Sequence, residues 1–148
     1  MLFFIITIII VIIDQISKVL AVKYLFNQPS IKLIPSILNL TYAENTGAAF
    51  SILRNKQFFL QTITGIVILF LIYMLFKEVQ KNGNYFYKLS LSFILGGAIG
   101  NLIDRVRLNY VIDYFDVQFM NFAIFNIADS FIVVGTIFLG YLILFDKV

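Results

Sequence analysis

Phe122-Ala-Ile-Phe-Asn126-Ile-Ala-Asp129-Ser-Phe-Ile-Val-Val-Gly-Thr-Ile-Phe-Leu-Gly-Tyr-Leu-Ile-Leu-Phe145 carries a single charge, Asp129, in a stretch long enough to cross a bilayer. A span needs about 20 predominantly apolar residues. Three further stretches come close: 2–25, interrupted by Asp14 and Lys18; 58–76, with no charge; and 85–104, which ends on Asp104 followed by Arg105. The chain has 148 residues, 61% of them hydrophobic and 13% charged, whereas soluble domains carry about 25% charge. So little charge cannot cover a water-facing surface, and lipid is the solvent this composition suits. The length fits one domain, 1–148, with no room for a second.

Cysteine and histidine are both absent. That excludes disulfides, thiol nucleophiles, His-based triads and the usual zinc ligand sets, so no metal or cofactor is expected. A net charge of +3 with scattered basic residues is no nucleic-acid stripe and suits contact with anionic headgroups. The first apolar stretch lacks a basic leader and a small-residue cleavage site, and reads as a retained span. Residues 27–56 differ in kind. They hold Pro29, Pro35, the run Leu38-Asn39-Leu40-Thr41-Tyr42 and the cluster Gly47-Ala48-Ala49, which predict short strands. Open strand edges are not tolerated within lipid, so this segment belongs at the membrane surface.

Charges inside a span cost about 2.5–3.5 kcal/mol each on insertion scales, and each one needs a reason. Asp14 and Lys18 lie four apart on one face, either as a neutralising pair or as a polar anchor beneath a site. Gly97, Asn101 and Asp104 form one stripe of the third span. Gly96 and Gly100 allow close helix approach, but packing does not explain the Asn and Asp. Asn126 and Asp129 share a face of the fourth span. Asp129 falls some residues into its apolar segment, which argues against a carboxylate that merely complements a helix N-terminus. Asp113, within Tyr110-Val111-Ile112-Asp113-Tyr114-Phe115, reads either as an ordinary solvated turn residue or as part of a loop pressed against the membrane. Two carboxylates in a partly desolvated site keep one proton between them. The ionised member can then deprotonate water while the other polarises a carbonyl, a chemistry that needs neither His nor Cys.

Four motifs occur in order along the chain: Asp14-Gln15-Ile16-Ser17-Lys18; Asn45-Thr46-Gly47-Ala48-Ala49-Phe50; Gly96-Gly97-Ala98-Ile99-Gly100-Asn101-Leu102-Ile103-Asp104-Arg105, continuing to Val111-Ile112-Asp113; and Phe125-Asn126-Ile127-Ala128-Asp129-Ser130. Together they resemble the lipoprotein signal peptidases (signal peptidase II), and the likeness covers nearly the whole chain. The resemblance implies an all-α membrane protein of four transmembrane helices, with a small extracytoplasmic β-sheet between helices 1 and 2. It implies that Asp113 and Asp129 are the catalytic aspartates. Asn45, Asn101, Asp104, Arg105 and Asn126 would form the polar shell that orients them and the substrate backbone. Gly97 and Ala128 would leave room for the peptide, and Asp14 and Lys18 would be structural.

The implied substrate is a bacterial prolipoprotein carrying diacylglycerol on a cysteine, cut just before that cysteine by a monomer in the cytoplasmic membrane. The resemblance also puts both termini in the cytoplasm and the site near the outer face. Lysine and arginine counts lean the other way, because the first and third loops hold Lys32, Arg54, Lys56, Arg105 and Arg107. The motifs take precedence, since the first loop reads as a folded segment and Arg105 as a site residue. The segment joining Asp113 to Asp129, with Phe119, Met120 and Phe122, suits a flap lying on the membrane.

Two other classes compete. A small transporter or channel subunit could use Asp14, Asp104 and Asp129 as an ion path. A different hydrolase could use Ser17 beside Lys18 or Ser130 beside Asp129, but adjacent helical residues do not face each other. A carboxylate-only Mg²⁺ or Ca²⁺ site would make activity sensitive to chelation.

Overall fold

Backbone polar groups in hydrocarbon must be satisfied within their own segment, and the four apolar stretches accordingly fold as helices. The structure is a computed structural model that describes residues 1–47, 53, 56–120 and 122–145. Its helices are α1 (Leu2–Leu25), α2 (Gln57–Gln80), α3 (Tyr85–Leu108) and α4 (Ile127–Leu144). At 24 residues each for the first three, they reach roughly 36 Å, enough for the hydrocarbon core. Their outer faces present bare aliphatic and aromatic side chains, Leu69 and Ile137 both at 68% exposure, where a soluble helix would carry charge.

α3 is the central post, packed against α1, α2 and α4. Its small residues make this possible. A Cβ on Gly96 would strike Ile10 of α1, and one on Gly97 would strike the carbonyl oxygen of Ala128 on α4. α1 and α3 run parallel, Thr7 meeting Ser92 and Lys18 meeting Asp104. α4 runs antiparallel, with Gly135 against Ser90 and Phe93. Leu71 and Leu75 of α2, Leu91 and Leu95 of α3, Phe3 and Leu142 fill the core at the end remote from the carboxylates.

The strands are β1 (Ile31–Ile34), β2 (Leu38–Asn45) and β3 (Val111–Val117), antiparallel in the order β1-β2-β3. β3 was not anticipated: it comes from the connection between α3 and α4, so the sheet is built from two loops. Asn109 turns the chain there with a left-handed conformation (φ 64°) after α3, a geometry Asn tolerates. The strand then pairs with β2, Ala43 opposite Asp113 and Asn45 opposite Val111. Ile112 and Tyr114 pack with Ala21 and Leu25, holding the sheet on the end of α1.

α4 also begins later than the apolar run. Phe125 exchanges backbone hydrogen bonds with Phe115, 2.8 and 3.1 Å, so 122–125 lies outside the helix and Asn126 is its N-cap. Of the second motif, Ala48, Ala49 and Phe50 lie outside the described residues, as does Arg54.

Candidate active site

Asp113 and Asp129 come from unlike elements, and one residue joins them. Asn126 closes a capping box at the start of α4. Its Oδ1 accepts from the Asp129 N–H at 2.9 Å, and its own N–H donates to Asp129 Oδ2 at 3.3 Å. Asp129 is thus in the first turn of α4, where the helix dipole favours a carboxylate, and not deep in the span as its place in the apolar run suggested. Asn126 Nδ2 reaches the other way and donates to Asp113 Oδ1 at 2.7 Å. Asn45, the last residue of β2, donates from Nδ2 to Asp113 Oδ2 at 3.1 Å and accepts from the Gly47 N–H at 2.9 Å. Asn101 on α3 donates to Asp129 Oδ1 at 2.7 Å.

Asp113 lies in β3 and not in a loop. It is 2% exposed, in a strand whose neighbours Val111, Ile112 and Tyr114 are buried too. Burial, with the Asp129 charge second, pushes its carboxyl up to about 7, against the pull of Asn45, Asn126 and Lys18. Both neutral and ionised forms of Asp113 are therefore accessible near neutral pH.

Asp104, the carboxylate on the α3 stripe, is bonded to neither Asp113 nor Asp129 and takes other partners among the described residues. Its Oδ2 accepts from the Ile112 N–H at 3.2 Å and meets Lys18 Nζ at 2.9 Å, while Oδ1 takes Gln15 Nε2 at 2.9 Å. Asp14, fully buried, pairs with Lys18 at 2.9 Å through Oδ2 and accepts the Ala128 N–H at 3.1 Å through Oδ1. It caps a free amide at the start of α4 from another helix. A Cβ on Gly100 would collide with this carboxylate. Gly97 and Ala128, expected to leave room for a peptide, meet each other at the α3–α4 contact and do not line the cavity.

That cavity, about 540 Å³, adjoins Asp129. Asn45, Asn101, Arg105 and Ser130 supply its polar wall. Val111, residues 122–125 and Ile132 to Val134 supply the apolar one. Val133 and Val134 are more than half exposed on the helix face that lipid covers, so the apolar wall is continuous with the bilayer. Asp113 stands behind the polar wall. Arg105 donates from Nη2 to the Gly47 carbonyl at 3.2 Å, tying α3 to the chain after β2.

Sequence reasoning passed over three residues. Gln15 bridges Asp14 and Asp104. Gln61 donates to the Arg105 carbonyl at 2.8 Å. Tyr114 donates to Ser17 Oγ at 2.6 Å, and Ser17 in turn to the Asp14 carbonyl, which fastens the strand bearing Asp113 to α1. Gln15 was legible, as a polar residue one place from Asp14 in an apolar span. Nothing in the sequence marked the others.

A family model described as signal peptidase (SPase) II matches residues 6–145. The lipoprotein signal peptidase of Caldanaerobacter subterraneus is 52% identical over 92% of this chain and 91% of its own. That of Enterococcus faecalis is 48% identical over 98% and 89%. Among solved structures, one of a bacterial membrane enzyme obtained by the in meso method superposes with a TM-score of 0.90 at 36% identity, covering 98% of this chain and 88% of that one.

Proposed function

The chain belongs to the signal peptidase II family, and on that premise we propose that it is an aspartyl endopeptidase that removes the signal peptide from diacylglyceryl-modified bacterial prolipoproteins. The cut falls just before the lipidated cysteine. One observation carries the mechanism: Asn126 hydrogen-bonds a carboxylate from β3 through its side-chain amide and another from α4 through its backbone N–H, and the second of these lines a cavity that opens along lipid-facing α4.

Asp113 and Asp129 share one proton. The ionised member takes a proton from a water molecule, whose oxygen attacks the scissile carbonyl carbon. The protonated member hydrogen-bonds the carbonyl oxygen and later delivers its proton to the leaving amine. Asn45, Asn101 and Asn126 orient the two carboxylates, and Arg105 meets the substrate backbone. The acyl chains lie along Val133 and Val134, continuous with the bilayer. Both termini are cytoplasmic and the sheet lies at the outer face, where a translocated precursor presents its lipid-modified cysteine.

The ion-path reading gains nothing from the structure, because Asp14 and Asp104 are closed off in contacts with Lys18 and Gln15. Purified protein supplied with a synthetic diacylglyceryl precursor tests the peptidase reading. Cleavage before the cysteine, blocked by globomycin, is the expected result. Failure to cut this precursor under conditions where the protein is folded overturns it.

A further inference from the structure

We propose that Lys18 is a positioning residue for the Asp113–Asp129 pair, acting through the side-chain amide of Asn101; this rests on the peptidase reading above. An ammonium group has three N–H donors, and Lys18 directs them at three acceptors: Asp14 Oδ2, Asp104 Oδ2 and Asn101 Oδ1, each at 2.9 Å. A neutralising pair needs only the first. The third contact decides which way the Asn101 amide faces.

Asn101 Oδ1 receives Lys18 Nζ and Asn126 Nδ2, the latter at 3.2 Å, so its Nδ2 is turned to Asp129 Oδ1. The flipped amide would set an NH₂ against the ammonium and the Asn126 NH₂, and an oxygen against the Asp129 carboxylate. Every contact would reverse sign. With its oxygen held by Lys18, Asn101 also gives Asn126 Nδ2 an acceptor. That leaves the same NH₂ directed at Asp113 Oδ1, while Asn126 Oδ1 takes the Asp129 N–H. A directed chain of hydrogen bonds therefore runs from one ammonium to both aspartates. Lys18 is 2% exposed and lines no part of the cavity, so it works without meeting substrate.

A double-mutant cycle separates this from a general structural role. In the otherwise native protein, Lys18→Met is expected to lower kcat on the order of 100-fold, the size of losing an aligned donor at a reacting centre, with KM changed less than about threefold. In an Asn101→Ala background the same substitution is expected to cost less than about threefold. Equal losses in both backgrounds, or a loss carried mainly by KM, overturn the proposal.

Should Lys18→Met fail to fold, Asn101→Asp provides the second test. It keeps an oxygen toward Lys18 and replaces the N–H toward Asp129 by another oxygen. A folded Asn101→Asp protein with kcat within threefold of the native value also overturns the proposal. An unsubstituted protein that cuts no lipid-modified precursor would instead bring down the peptidase reading itself.

Discussion

Asp113 and Asp104 both belong to the third motif and both are buried, yet their surroundings set them different tasks. Asp104 has Lys18, Gln15 and the Ile112 N–H, a complete set of partners that ties α1 to α3 and β3. Among the described residues, Asp113 has two amide donors and no ion-pair partner. Asp113→Asn and Asp129→Asn are each expected to lower cleavage by at least about 10³-fold, within the range for general acid–base groups, with the protein still folded. Asp104→Asn should retain measurable turnover and lose stability instead, by about 3 kcal/mol, because Lys18 is left short of a charged partner. Rates and melting temperatures measured side by side decide between the two carboxylates. Protonation of Asp113 contributes to the pH response of stability. With its carboxyl raised to about 7, the folded state binds this proton more tightly than the unfolded chain does. Stability therefore falls as pH rises from about 4 to 7 and levels off above. On the proposed mechanism turnover needs one proton on the pair, so kcat should decline as pH passes through about 7. A rate that climbs steadily to pH 9 would contradict the shared proton.

Helices were easier to foresee than strands, and the reason is solvent. In lipid the requirement for internally satisfied backbone makes length and hydropathy nearly sufficient, and α1 ends where the apolar run does. β3 has no such signature. Its residues Val111 to Phe115 are apolar on both sides of Asp113, without the alternation that marks a half-buried strand, because both faces of the strand are covered. The start of α4 was hidden for a related reason. Phe122 to Phe125 is as apolar as a span, but its backbone bonds go to Phe115. Asn126 could have corrected this, since Asn followed three residues later by Asp resembles a capping box. Packing between elements leads to a contrast among glycines. Gly97→Ala places a methyl group against the Ala128 carbonyl and should cost about 1–3 kcal/mol with lowered activity. Gly65→Ala and Gly140→Ala meet open space and should be neutral or stabilising by up to about 1 kcal/mol. Unfolding in detergent measures all three.

At the scale of the whole molecule, the buried carboxylates and their amide partners gather at one end of the bundle, and the described residues of the four motifs, distant in sequence, converge there. The sequence made the membership of this cluster legible through their shared order, but not its wiring. That Asp14 reaches α4 and Lys18 reaches Asn101 follows from parallel packing of α1 on α3, which no local pattern encodes. Activity insensitive to strong chelation is expected of a carboxylate pair that works on water directly. Loss of cleavage with EDTA, restored by Mg²⁺ or Ca²⁺, would require a different mechanism.

The Ala128 N–H, capped by Asp14 of α1, has a bearing on biosynthesis. Helix α1, synthesised before α4, supplies the cap, and α4 receives it along with Asp129. Until α4 has inserted, Asn126 is absent, Asp113 lacks its shortest hydrogen bond, and Asp14 has no Ala128 N–H to cap. A nascent chain that stops short of α4 then lacks one of the two proposed catalytic carboxylates, and on the peptidase reading cleaving capacity arrives only once α4 has inserted.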